Sequence, residues 1–511
     1  MLRMSLVTAL FALALAPRAA LADDAAPIAP PPAAPAESGD GLGLAPGTPQ
    51  VGDLIVPTKT APAAAAATTA KKFSFHGFLR VPLAVGFGSG GDVPAGVEGG
   101  TKEHSPAQVP DGAYTDWQYT NGMGGPWTEL WLGYGNANVE AHVVIASYQV
   151  SEAGYRDLQA QLGISQSFVS FNYPHLFGDA GGLSWNVGAF TGRYGTAGRY
   201  DAGKYDTYLF GATKVAGETL AVAYRITDGL TLHVEHGLGA KLEVPPLIPG
   251  LPSVPYLPYP GPVQQGTTLL HHAHVGATYG KVTFALHYLR SWTDDAHLPG
   301  EVDGSITVAG AEVKLVDSVY GNGYLGYAHL SARDPLRVAD ALEVIHSQQG
   351  WNLRDNYFGQ AATGTGTIDT ILFQHTFSLS TFLWAPRPFW GQGPDLLLSI
   401  FGMYNKVASD DPAFAAATQK LKLGAEVTYS WTSWLGASLR YDVVQPDLDD
   451  STQSFQVISP RLIVRSEFAS NEQLVLQYSH YQNGSHVRLS YPNGGLTPDD
   501  DVLRISAIMW W

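Results

Sequence analysis

From Phe73 onward, polar and apolar residues trade places with a period of two. The clearest stretch is Lys420 to Trp431. Leu421, Leu423, Ala425, Val427, Tyr429 and Trp431 fall on one side, and Lys420, Lys422, Gly424, Glu426, Thr428 and Ser430 on the other. Successive side chains of a strand point to opposite faces, so this pattern predicts a strand with one apolar and one polar face. The next segment repeats it: Leu435, Ala437, Leu439, Tyr441 and Val443 oppose Ser438, Arg440 and Asp442, with only Thr432-Ser433-Trp434 between the two. Further pairs flank Ala469-Ser470, Gly280 and the hairpin signal Asp228-Gly229. Tight turns of this kind alternate with long connections at 88–126, 239–266, 292–305, 331–368 and 482–501.

A soluble sandwich also alternates, but it buries its aromatics. Here they gather at strand ends: Tyr279, Tyr288, Trp384, Tyr429, Trp431, Trp434 and Tyr441. Girdles at two membrane interfaces account for that placement, and short turns opposite long loops are the layout of a bacterial outer-membrane barrel. The fold class expected is all-β, a transmembrane antiparallel β-barrel. A first list gives nineteen strands, counting 206–215. Both ends of such a barrel lie on one side, which requires an even number, so 206–215 is removed and residues 195–217 become an outer loop. The expectation is about 18 strands, with 16 as the alternative.

Composition agrees. Charged residues make up 14% and aromatics 11%, with 57 Gly and no Cys. Soluble domains carry about a quarter charged residues, and the lack of Cys excludes a disulfide-stapled scaffold. After the N-terminal region no apolar run reaches the ~18 residues of a membrane-spanning helix. At the N-terminus, Arg3, the apolar run Leu6–Leu15 and Ala20-Leu21-Ala22 read as a signal peptide over 1–22. Its cleavage removes two positive charges (Arg3, Arg18) and no acids, taking the net charge from −16 to −18, a poor balance for a nucleic-acid binder. Residues 23–72 are Pro/Ala-rich, including Pro30-Pro31-Pro32 and Ala63–Ala67, and read as a disordered periplasmic linker. The barrel then occupies 73–511.

At the C-terminus Leu503, Ile505, Ala507, Met509 and Trp511 alternate with Arg504, Ser506, Ile508 and Trp510. Here the chain resembles the outer-membrane porin superfamily of Gram-negative bacteria, whose last strand ends in an aromatic residue, usually Phe, recognised by the barrel-assembly machinery. The resemblance gives Trp511 the role of assembly signal, with Trp in place of Phe as a departure. It rests on pattern across the signal peptide and 73–511, and it identifies no subfamily. It also implies an outer-membrane location, contact with outer-membrane lipid and lipopolysaccharide, and a homo-oligomer as one arrangement.

The polar faces define the expected lumen. Its lining includes the bases Arg80, Lys420, Lys422, Arg440, Arg461, Arg465 and Arg504 and the acids Glu426, Asp442 and Glu467. A basic stripe facing acids sets up a transverse field, and the excess of bases favours anionic solutes. The plainer account is salt-bridge lining of a polar interior. A second inward set is His272, His274 and His287, with His233 and Glu235 on the strand before. Pairing across Gly280 sets Ala273 opposite His287 and brings His274 close to it, a set that zinc or copper accepts. Connection 331–368 carries a predicted helix: Asp334 as N-cap, Pro335 at the first position, then Leu336, Ala339, Leu342 and Ile345 at helical spacing. Folded inward, its polar residues Asp334, Arg337, Asp340 and Glu343 are the candidate constriction. The acids of Asp294-Asp295, Asp410-Asp411, Asp447, Asp449-Asp450 and Asp499-Asp500-Asp501 fall in expected outer connections, as solvated tips or as sites for divalent cations that bridge to lipopolysaccharide.

No G-x-S-x-G, H-E-x-x-H, P-loop or Rossmann fingerprint occurs, so neither an enzyme nor a cofactor is expected. The first reading is a channel for passive diffusion of small hydrophilic solutes. The second is a non-conducting structural or adhesion barrel. A barrel enzyme is the weakest, and requires a Ser or Asp hydrogen-bonded to a wall histidine.

Overall fold

The computed structural model describes residues 71–87, 128–147, 162–193, 212–242, 267–293, 305–317, 321–333, 365–379, 395–409, 418–432, 434–445, 448–466, 468–484 and 500–511. They form one 18-stranded antiparallel sheet closed on itself. The strands are β1 (Lys72–Phe87), β2 (Thr128–Gly135), β3 (Val139–Ser147), β4 (Leu162–Tyr173), β5 (Gly181–Arg193), β6 (Ala212–Thr227), β7 (Leu230–Leu242), β8 (Thr267–Tyr279) and β9 (Val282–Thr293), followed by β10 (Ser305–Asp317), β11 (Gly321–Arg333), β12 (Thr365–Ser378), β13 (Asp395–Ser409), β14 (Thr418–Ser430), β15 (Leu435–Gln445), β16 (Phe455–Ser466), β17 (Asn471–Asn483) and β18 (Asp500–Trp510).

Each strand pairs with its neighbours in sequence, and β1 pairs with both β2 and β18. The seam continues past Trp510: Trp511 N–H donates to the Gly77 carbonyl and Gly77 N–H to the Trp511 carbonyl, each at 3.1 Å, while the Trp511 ring lies 5.9 Å from that of Phe75. Closure leaves no open edge, which is the condition for a sheet to sit in hydrocarbon.

The two faces are unlike. Outward positions carry exposed apolar side chains along the strands, such as Leu232, Val234, Val275, Phe284, Leu286, Leu439, Leu462, Leu476 and Ile505. Alternate inward positions are mostly polar. An apolar outer belt around a polar interior is the reverse of a soluble barrel and identifies a membrane-spanning one. No helix of the described residues is long and apolar enough to cross a membrane.

At one end most connections are short, down to the two-residue turns at 228–229 and 280–281, with 379–394 the exception, and both β1 and β18 reach that end. Exposed Tyr134, Tyr173, Tyr224, Tyr279, Trp431, Trp434 and Phe468 ring it. At the long-loop end a second ring forms, and its tyrosines find partners across the sheet, as buried-stem aromatic rings at an interface do. Tyr327 OH donates to Asp369 (2.7 Å), Tyr404 OH to Gln419 (2.9 Å), Tyr441 OH to Gln456 (2.5 Å) and Tyr478 OH to Asp501 (2.5 Å).

Three boundaries differ from the sequence reading. The strand after the 195–217 loop starts earlier, at Ala212, because Lys214–Ala216 continue the ladder with β5. Asp500 and Asp501 lie in β18 rather than in a connection. The β8–β9 turn is two residues, Gly280-Lys281 with Gly280 at φ +58°, so His274 rather than Ala273 faces His287. The predicted helix and Asp334, Arg337, Asp340 and Glu343 lie outside the described residues, as do residues 23–70 and Glu467.

Candidate functional site

The inner wall has two chemically distinct sides. On β14–β18 and β1, the sequence-predicted bases all point inward. Arg80, Lys420, Lys422, Arg440, Arg461 and Arg504 are buried and Arg465 is half-buried. Both described carboxylates of this wall are already engaged. Arg440 holds Asp442, two residues along the same strand, in a bidentate pair with Nε donating to Oδ2 at 2.8 Å and Nη2 to Oδ1 at 2.7 Å. The Arg440 guanidinium also lies 4.6 Å from the centre of the Phe401 ring. Arg461 reaches across β15: Nη2 donates to Glu426 and Nε to Ser438 Oγ at 2.8 Å. Gly424 makes room for this arrangement, since a Cβ there would stand 2.1 Å from the Phe401 ring and 2.9 Å from Asp442 Oδ1. On β14–β18 and β1 seven bases thus stand against two described carboxylates, while Glu129 on the neighbouring β2 shares the inward face of buried Trp131, whose Nε1 donates to it at 3.4 Å.

The other side, on β7–β10, holds imidazoles and carboxylates. His272 Nδ1 lies 3.6 Å from Glu235 and His287 Nδ1 2.5 Å from Glu312, which also accepts from Tyr324 OH at 3.0 Å. His233 meets Thr278 at 3.1 Å, and Thr278 meets Thr283 at 2.9 Å. In the closed order, β8 and β17 are nine strands apart, half of 18, so this wall stands across the lumen from the basic one.

Its geometry corrects the metal reading. His274 and His287 are cross-strand partners, as near as the register allows. Yet His272 leans over Gly237 on β7 and His287 over Gly310 on β10, where a Cβ would stand 2.0 Å and 2.2 Å from their rings. The glycines draw the two imidazoles apart, each toward its own carboxylate. Among the described residues no three His, Cys, Asp or Glu side chains converge to hold a metal ion.

Sequence reasoning also missed an apolar row on this inner wall. Leu289, Val308, Leu330 and Ile368 are register neighbours toward the long-loop ends of β9–β12, and each is fully buried. Alternation gave their direction; nothing in it distinguished an inward apolar residue from an irregular one.

Two outward Asp–His pairs meet part of the requirement set for a barrel enzyme. His329 Nδ1 lies 2.8 Å from Asp369, and His480 Nδ1 2.8 Å from Asp501. The carboxylates are shared with Tyr327 and Tyr478, and among the described residues neither imidazole is hydrogen-bonded to a serine hydroxyl. Another wall histidine, His142, stacks on Phe168 with ring centres 4.7 Å apart, and its Nε2 lies 3.9 Å from Glu140.

No family model matches the sequence, and no curated protein does. Among solved structures the chain is similar to the outer membrane protein OmpT of Vibrio cholerae, at 10% identity over 86% of this chain and 98% of that one with a TM-score of 0.36. It is also similar to an anion-selective porin from Comamonas acidovorans, at 7% identity over 86% and 100% with a TM-score of 0.38. A third is the outer membrane channel DcaP of Acinetobacter baumannii, at 10% identity over 86% and 97% with a TM-score of 0.38.

Proposed function

We propose that the chain is an outer-membrane channel for passive diffusion of small hydrophilic solutes, with anionic solutes favoured. The observation that carries this reading is the inner wall of β14–β18 and β1, where bases outnumber carboxylates and every described carboxylate is matched to an arginine. An 18-stranded barrel is wide enough for an aqueous path unless loops fill it. The wall opposite, on β7–β10, carries imidazoles and no comparable excess of bases, so the lumen is charged asymmetrically, which orients water and dipolar solutes in it.

Connection 331–368 is the proposed constriction. It leaves from β11 and returns to β12, the strands that carry Leu330 and Ile368 of the apolar row. An apolar row inside an aqueous channel calls for apolar cover, and Leu336, Ala339, Leu342 and Ile345 supply it at helical spacing. The same helix then turns Asp334, Arg337, Asp340 and Glu343 to the solute. In this reading Trp511 is the mark read by the barrel-assembly machinery, and the barrel stands alone or as a homo-oligomer.

Single-channel recording of refolded protein in planar bilayers tests the proposal. Stable conductance steps are expected, rising when residues 336–362 are replaced by a short Gly/Ser linker. A folded barrel that gives no steps, with or without that segment, overturns the channel reading in favour of the non-conducting barrel.

A further inference from the structure

A cation on a lipid-facing surface needs a counter-charge, and the outer wall of β7–β9 presents a cation for which the described residues supply none. Arg290 on β9 points outward, between lipid-facing Tyr288 and Trp292, and is exposed. Its guanidinium lies 5.3 Å from the Trp292 ring, which holds it against the wall. Its cross-strand neighbours are His271 on β8 and Thr307 on β10, and no carboxylate among the described residues pairs with it. His271 in turn lies beside His236 of β7, ring centres 4.9 Å apart, and 6.0 Å from Tyr288. The nearest acid of the patch is Glu218 on β6, which already accepts from Trp185 Nε1 at 2.7 Å and lies 3.6 Å from His236. The other outward polar patches differ in this respect, since Asp369 faces Lys406 and His329, and Asp501 faces His480.

Depth identifies the environment. Arg290 is eight residues beyond Val282 at the short-turn end. At about 3.3 Å per residue and a tilt of about 40°, that is about 20 Å of height, against an apolar band about 25 Å tall. Phe284, Leu286 and Val275 occupy the band below. The patch therefore sits where hydrocarbon gives way to headgroups at the long-loop face. A guanidinium is suited to a phosphate there, because its planar fork donates two parallel hydrogen bonds and its charge is weakly hydrated.

We propose that Arg290, with His271 and His236 beside it, binds the phosphate of a phosphorylated glycolipid headgroup in the outer leaflet, lying over the indole of Trp292. Arg290 donates to the phosphate oxygens, the two imidazoles donate at its flank, and the lipid's acyl chains run down over Leu286 and Phe284. The inference rests on the barrel spanning a membrane and not on its conducting, so Arg290→Gln is expected to leave single-channel conductance unchanged.

The test is native mass spectrometry of the refolded full chain in detergent, titrated with bisphosphorylated lipid A, with the same lipid stripped of phosphate, and with inorganic phosphate. Wild type is expected to retain one or more lipid A molecules and to bind the dephosphorylated form at least about tenfold more weakly, as loss of a charge-assisted hydrogen bond implies. Arg290→Gln with His271→Gln is expected to lose the same factor, and Arg290→Lys to lose less. Equal retention by wild type and the double variant, or no preference for the phosphorylated lipid, overturns the proposal. Binding of inorganic phosphate as tight as that of lipid A overturns the lipid assignment. The side chains are outward and exposed, and a heat-modifiable band on electrophoresis verifies that each variant is a folded barrel.

Discussion

Neutralising part of the basic wall should weaken anion preference by an amount the geometry sets. Strands about 4.8 Å apart and tilted about 40° place the backbone of an 18-strand barrel about 18 Å from its axis. The Lys and Arg side chains of this wall are packed against their neighbours and buried, Arg465 half-buried, so their charges stand at most about 6 Å inside the backbone, no nearer than about 12 Å from the axis, and the figures that follow are upper bounds. At that range one charge shifts the energy of a monovalent ion by about 0.35 kcal/mol in bulk water, and by about 0.1 kcal/mol once screened at 0.1 M salt. The seven bases of this wall outnumber its two described carboxylates, Glu426 and Asp442, by five charges. Together they separate an anion from a cation by about 1 kcal/mol, a permeability ratio of about five. Replacing Lys420, Lys422 and Arg504 by Gln leaves two excess charges and a ratio of about two. The assay is the reversal potential across a planar bilayer under a salt gradient around 0.1 M, repeated near 1 M, where a Debye length of about 3 Å should abolish the preference. A triple variant as selective as wild type, or a selectivity that persists at 1 M, would refute the argument that this wall sets it.

Three further outcomes follow from the packing. Asp442→Ala strands the fully buried Arg440 guanidinium, so urea titration of the refolded barrel should show a loss of about 3–5 kcal/mol, far more than for a surface pair. Gly310→Ala drives a Cβ to 2.2 Å from the His287 ring and should cost about 1–3 kcal/mol in the same titration, while the pairing of β10 with β9 and β11 persists by circular dichroism. Deleting Trp511 removes both hydrogen bonds to Gly77 and the contact with Phe75, so the fraction reaching the heat-modifiable band should fall while soluble expression does not.

Strand number, the inward set on β14–β18 and the two aromatic rings were legible because a membrane barrel writes its inside and outside as strict alternation. Arg440, Asp442, Arg461 and Arg504 all point where that alternation sends them. Register was less legible. The β8–β9 pairing hung on whether Gly280 alone or Gly280-Lys281 makes the turn, and one residue decides whether Ala273 or His274 meets His287. Side-chain lean was not legible at all. The histidine cluster looked like a ligand set because alternation reports a face and not a direction within it. Only the glycines at 237 and 310, on neighbouring strands, draw those imidazoles apart. The outward patch at Arg290 was missed for a related reason, since a base at an apolar-face position reads as noise until its height, and the lack of a carboxylate partner among the described residues, are known.

The seam between β1 and β18 has a consequence for how the molecule comes into being. Phe78 lies against Trp510, so the ladder that closes the sheet joins the first described strand to the last. Until then both carry a full row of unpaired amides and carbonyls, which invite a neighbouring chain as readily as the correct partner. Contacts this distant in sequence form late and slowly. A half-made cylinder therefore has no resting state of its own in hydrocarbon. The chain must be kept apart from its copies, with its open edges covered, until its final strand arrives.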